Sequence, residues 1–130
     1  MSELSYSKIF ELIQDCLPDN WRKVIFYSVI AQDSFSMKYF VEQDNGILID
    51  CFSVSNVNRM KLHRTFMDIY SLINKYRMSL SEKERWSSII LIVNGDGKFK
   101  AKLDYDIFQS FQQKIYEIEE MIKSGNLFSM

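Results

Sequence analysis

The chain has 130 residues but only one histidine, His63, and only two cysteines, Cys16 and Cys51. A structural zinc site takes four Cys or His ligands at short spacings, and a catalytic one at least two or three. No metal centre is therefore expected, and no cofactor. Nucleophilic catalysis needs Ser or Cys beside a base oriented by a third group. His63 is the only imidazole that could serve, and Cys16 and Cys51 both sit in apolar patterns that read as buried, inert thiols. Glycine and proline are equally scarce, at four and one, so long disordered linkers are excluded. Charge of one sign is missing too. The formal net charge is -1 with a sequence pI near 5.8, which gives no global drive toward nucleic acid. No apolar run approaches the roughly 20 residues that cross a bilayer. Residues 1–15 lack a basic stretch followed by an apolar one, so neither a signal peptide nor a membrane partner is expected, and the reading is cytoplasmic.

What is present is an ordinary balance of 47% hydrophobic and 25% charged residues, as in a globular domain. One domain spanning 1–130 is expected. Aromatics reach 15%, so the core should be rich in Phe and Tyr.

Residues 2–16 place Ile9, Leu12, Ile13 and Cys16 on one helical stripe. Pro18 breaks that helix. Residues 21–31 are apolar on both parities, which predicts a central strand covered on two faces. Residues 35–43 alternate more clearly, Asp44-Asn45-Gly46 signals a hairpin, and 47–52 form a short third strand. Ser53 or Ser55 can cap a long helix running to about Met78, with Leu62, Phe66, Ile69, Ile73 and Tyr76 as its stripe. Residues 80–85 are a polar connection.

The most distinctive stretch is 86–105. A strand apolar on both faces leads through Asn94-Gly95-Asp96-Gly97 into a strand that alternates lysine with apolar residues and ends in Asp104-Tyr105-Asp106. The glycines suit a tight hairpin better than a phosphate loop, since a strand rather than a helix follows them. Lys98, Lys100 and Lys102 read as a solvated face or a guard against edge pairing. Asp104 or Asp106 can cap a last helix, whose stripe is Phe108, Phe111, Ile115, Ile118 and Ile122 and which Gly125 ends. Glu117, Glu119 and Glu120 cluster on it. The order α-βββ-α-ββ-α, with two hairpins, predicts an α+β fold with a five-stranded antiparallel sheet packed with helices. Phe26, Tyr27, Phe66, Ile69, Ile90, Phe99, Phe111 and Ile115 are the expected core. Nothing forms a catalytic set, so a binding protein rather than an enzyme is expected.

Three segments in order resemble the YezG-like family of bacterial immunity proteins (antitoxins). They are Leu17-Pro18-Asp19-Asn20-Trp21 entering Val24-Ile25-Phe26-Tyr27, then Trp86-Ser87-Ser88 opening a strand, then Gly97-Lys98-Phe99 followed by Asp104-Tyr105-Asp106. The resemblance implies a cytosolic protein that binds and neutralises a cognate toxin, commonly a nuclease used in competition between bacteria. Carboxylates would then stand in for substrate phosphates against the toxin's Lys and Arg. Trp86, Phe99 and Tyr105 look structural in that light. Asp104 and Asp106 are the matched positions best able to touch a basic partner, with Asp44 as a further candidate at the other hairpin. The element order also fits secretion chaperones that hold an effector. An unrecognised enzyme built around His63 is the third reading.

Overall fold

The computed structural model describes residues 6–31, 34–43, 46–54, 58–105 and 110–125. The chain runs α1 (Tyr6–Gln14), β1 (Lys23–Ile30), β2 (Phe35–Glu42), β3 (Leu48–Asp50), α2 (Arg59–Met78), β4 (Ser88–Asn94), β5 (Phe99–Asp104) and α3 (Phe111–Ser124), with short 3-10 turns at Cys51–Ser53 and Glu82–Glu84. This is the α+β order α-βββ-α-ββ-α. The five strands form one antiparallel sheet in the order β3-β2-β1-β4-β5.

The central position of β1 explains its composition. It pairs with β2 on one side and β4 on the other, and every residue after Lys23 is buried. Val24 and Phe26 join Tyr39, Val41, Ile89 and Leu91 beneath α1 and α2, with Ile9, Ile13, Leu62, Ile69 and Ile73 supplied by the helices. Ile25, Tyr27 and Val29 face the other way, with Phe40 and Ile90, toward Ile118 and Ile122 of α3. Two-sided burial is what removes the alternation expected of a half-solvated strand.

The β4–β5 hairpin closes through Asn94 N–H donating to Lys98 O at 2.8 Å and Gly97 N–H donating to Asn94 O at 2.9 Å. Gly97 sits at φ 90°, where a side chain would be strained. Gly125 ends α3 in the left-handed region, its N–H reaching back to Ile122 O and Met121 O, as a helix terminus requires.

Several boundaries differ from the sequence expectation. The third strand stops at Asp50 because its carboxylate accepts Phe52 N–H at 2.8 Å and starts a 3-10 turn. The cap of α2 is Asn58, which accepts Lys61 N–H at 3.1 Å. Ser53 belongs to the 3-10 turn, and Ser55 lies outside the described residues. The cap of α3 is Ser110, which accepts Gln113 N–H at 3.1 Å. Asp104 instead ends β5, while Asp106 and Phe108 lie outside the described residues. The expected core holds at Phe26, Tyr27, Phe66, Ile69 and Ile90, whereas Phe111 and Ile115 are only partly buried. Phe99 is not core. It is 50% exposed at the start of an edge strand, where the Tyr6 ring approaches it at 6.0 Å.

Candidate interaction surface

The described acidic residues of this chain divide into those held by internal partners and those left facing solvent. The three glutamates clustered on α3 do not share one face, because successive helical residues turn by about 100°. Glu119 faces the sheet. Its carboxylate accepts the Tyr27 hydroxyl and lies 3.2 Å from Lys38 Nζ. Lys38 also meets Asp50 Oδ2 at 3.0 Å. Residues from β1, β2, β3 and α3 thus share one polar knot under the helix. Burial, then Glu119, pushes the Tyr27 phenol far above its ordinary range. Burial alone would pull Lys38 down, but Asp50 and Glu119 more than offset it, and its ammonium is held above the ordinary lysine value. Sequence reading grouped Glu119 with its neighbours and had no signal for Lys38 or Asp50, which come together only through strand register.

Asp104 is tied up in the same manner. Its Oδ2 accepts from Lys114 Nζ at 2.8 Å, and Lys114 is only 8% exposed. The pair fastens the end of β5 to α3 and satisfies a cation that could not otherwise be buried. Asp44 and Asp106 lie outside the described residues. The nearest described residues in sequence, Gln43 and Gly46, follow β2 at the end of the sheet marked by the Glu42–Lys23–Asn94 register. Asp104 pairs with Ser88 at the other end. Six residues of strand separate those ends, or ~20 Å at about 3.3 Å each.

The carboxylates left facing outward on α3 are Glu117 and Glu120, and beside them Tyr116 is 60% exposed. Tyr116 and Glu120 are one turn apart, as are Glu117 and Glu120, so the three share a face. Lys114, which holds Asp104, is one turn before Glu117. Tyr105, the residue after β5, is 54% exposed. Of Trp86, Phe99 and Tyr105, the first alone is buried, under an Arg77 guanidinium 5.6 Å from its ring.

Two cavities lie among the described residues. A depression of about 570 Å³ between the α1–β1 loop, β3 and the start of α2 is lined by residues including Asp15, Cys16, Asp19, Gln43, Asn58 and Lys61. Cys16 there is 3.4 Å from Thr65 Oγ1, with no imidazole lining the same space. His63 stands on the exposed side of α2 in a shallow dimple with Arg59, Met60, Arg64 and Met67. Cys51 is fully buried, and burial pushes its thiol up to about 12. Among the described residues, no group of three or more His, Cys, Asp or Glu side chains is placed to hold a metal. No described helix is long and apolar enough to cross a membrane.

Residues 1–124 match the family model described as "Immunity protein YezG-like". No curated protein matches the chain.

Proposed function

The chain belongs to the YezG-like immunity-protein family, and from that premise we propose that it binds and neutralises one cognate toxin, a nuclease used in competition between bacteria, inside the cell that makes both. The match over nearly the whole chain carries the immunity reading, since a member of such a family acts by binding a toxin protein. Inhibition is then stoichiometric and involves no turnover.

The nuclease assignment draws its support from the outward face of α3. A nuclease must hold phosphates, so its groove is basic. An inhibitor fits that groove with carboxylates on a rigid element around an aromatic anchor. Tyr116 with Glu117 and Glu120 has this character, on a helix fixed to the sheet by two ionic contacts. We assign Asp104 and Asp106 to the same contact and Asp44 to its periphery. An interface of ordinary size covers about 800 Å² per partner, roughly 30 Å across, which is wide enough to span the ~20 Å between the two ends of the sheet.

The test is calorimetric titration of the toxin domain encoded beside this gene. Reversal of Asp104 would also strand Lys114, so the cleaner variant is Glu117→Lys with Glu120→Lys. The control is Glu11→Lys with Asp15→Lys, exposed positions in or just after α1 on the other face of the sheet. The α3 variant should weaken binding at least about tenfold, or about 1.4 kcal/mol, and the control should not. Equal affinities for the two variants would place the contact elsewhere. If no toxin domain binds the native chain at all, the immunity reading fails.

A further inference from the structure

We propose that the outer edge of β5 is a docking rail for one extended strand of the toxin, a strand that alternates acidic with apolar residues. The immunity reading supplies the identity of the partner, and the edge itself supplies the chemistry.

The rail follows from the sheet order. β5 is the last strand of the sheet, with β4 on one side and, among the described residues, no strand on the other. Asn94 N–H donates to Lys98 O, and the register continues Ile92↔Lys100 and Ile90↔Lys102. Hydrogen bonding alternates along an antiparallel pair. Lys98, Lys100 and Lys102 therefore turn their backbone groups toward β4. Phe99, Ala101 and Leu103 turn theirs outward, where none meets a hydrogen-bond partner among the described residues. The opposite edge, β3, has only three residues against six in β5. Edges of this length are usually blunted by lysine, proline, a bulge or a covering element, and of these β5 has its lysines. β5 carries no proline, and among the described residues the ring packed on it is Tyr6, against Phe99 at its first residue.

The side chains select what can add to that edge. Lys100 and Lys102 lie on the α3 side of the sheet, with Phe99, Ala101 and Leu103 on the α1–α2 side. A second copy pairing antiparallel about Ala101 would set Lys100 against Lys102 of that copy, twice on one face. Like charges directly opposite are destabilising. A strand with Glu or Asp at alternate positions makes the same backbone bonds and exchanges that repulsion for attraction. Its intervening apolar residues would cover the half-exposed Phe99 ring and Leu103. Such strand addition draws affinity from the main chain and specificity from alternate side chains. The lysines thus both repel a second copy and choose the partner.

Two probes test this on the full chain. One is a capped synthetic peptide alternating Glu and Val, set against its Lys-Val counterpart, in fluorescence anisotropy. The other is the toxin domain encoded beside the gene. Ala101→Pro removes one outward N–H and obstructs the edge while leaving the bonds of Lys100 and Lys102 to β4 in place. Lys100→Glu with Lys102→Glu reverses the charge without touching the backbone, and it decides the matter if the proline variant does not fold. The wild type should prefer the Glu-Val peptide by at least about tenfold. Ala101→Pro should weaken both the peptide and the toxin domain by a similar factor, and the charge-reversed variant should prefer the Lys-Val peptide. Three results would overturn the proposal. One is an unchanged peptide preference after charge reversal, and another is unchanged affinity in a natively folded Ala101→Pro. The third is a sedimenting dimer of the wild type that Ala101→Pro converts to monomer, since the occupant is then a second copy. Toxin binding that survives in Ala101→Pro removes the rail but leaves the immunity reading. If no variant binds the toxin domain, the immunity reading falls and the peptide preference alone judges the edge.

Discussion

Replacing Asp104 by Asn separates two roles that this carboxylate combines. Lys114 Nζ lies 2.8 Å from Asp104 Oδ2, and the lysine is 8% exposed. Asn keeps the shape and removes the charge. With charge centres ~4 Å apart and an effective dielectric near 20, the lost attraction is about 4 kcal/mol. Asp104 retains 27% side-chain exposure, so solvent and the remaining amide oxygen recover a good part of that. We expect a net loss of about 2 kcal/mol, below the range for a fully buried pair. Adding Lys114→Met removes the stranded cation and fills its channel with an apolar chain. The double variant should return to within about 1 kcal/mol of the wild type. Urea unfolding followed by circular dichroism, at constant m-value, measures both. Calorimetry with the toxin domain then uses the recovered stability. If Asp104 touches the toxin, the double variant stays weak although its fold is restored. If Asp104 only seats α3, affinity returns with stability. A loss below about 0.5 kcal/mol in Asp104→Asn alone would refute the energetic reasoning, because the pair would then be no stronger than an exposed one.

The fold was legible where hydrophobic period and turn chemistry agreed. β1 could be assigned as central because its apolar residues fall on both parities, and two-sided burial is the physical cause of that pattern. The Asn94–Gly97 turn was legible because only a tight hairpin needs glycine at φ 90° just there. Caps were less legible. Asn58 competed with Ser53 and Ser55, and Ser110 with Asp104 and Asp106, since any short polar side chain can cap and local sequence does not rank them. Phe99 misled for a different reason. An aromatic alternating with lysine reads as core-facing, but β5 is an edge strand, and strand order is a tertiary property.

The carboxylates show the same limit more sharply. Asp104 adjoins Tyr105 and Glu119 lies three residues after Tyr116, a setting that fits a contact surface and an internal ion pair equally well. What distinguishes them is the facing cation. Lys114 is ten residues on from Asp104, and Lys38 is brought to Glu119 only when α3 packs across β2. Lys38 and Asp50 had no local signal. Glu117 and Glu120 were visible as a cluster with Glu119, and helix geometry alone separates them once the buried positions Ile118 and Ile122 fix which side faces the sheet.

Phe66 packs edge-on against Tyr39 and Phe52 at 6.3 Å and is 7% exposed, so Phe66→Ala should lower unfolding free energy by about 3 kcal/mol. A loss below about 1 kcal/mol in urea would show that this face of α2 collapses without strain. The Ser28 hydroxyl is fully buried with no hydrogen-bond partner among the described residues, so Ser28→Ala should stabilise by about 0.5–1 kcal/mol and raise Tm by a few degrees. A fall in Tm would mean that the hydroxyl is satisfied in solution. Cys51 gives a kinetic test of the core. Its thiol is fully buried and pushed from an ordinary 9.0 to about 12, so near pH 8 its thiolate is about a thousandfold rarer than that of an open cysteine, and thiolate is the species that alkylates. Iodoacetamide labelling of Cys51, read by peptide mass spectrometry, should therefore proceed only through unfolding and accelerate as urea crosses the transition. Labelling in native buffer at the rate of an unfolded cysteine would show that the β3–α2 connection opens on its own and that Cys51 is not part of the core.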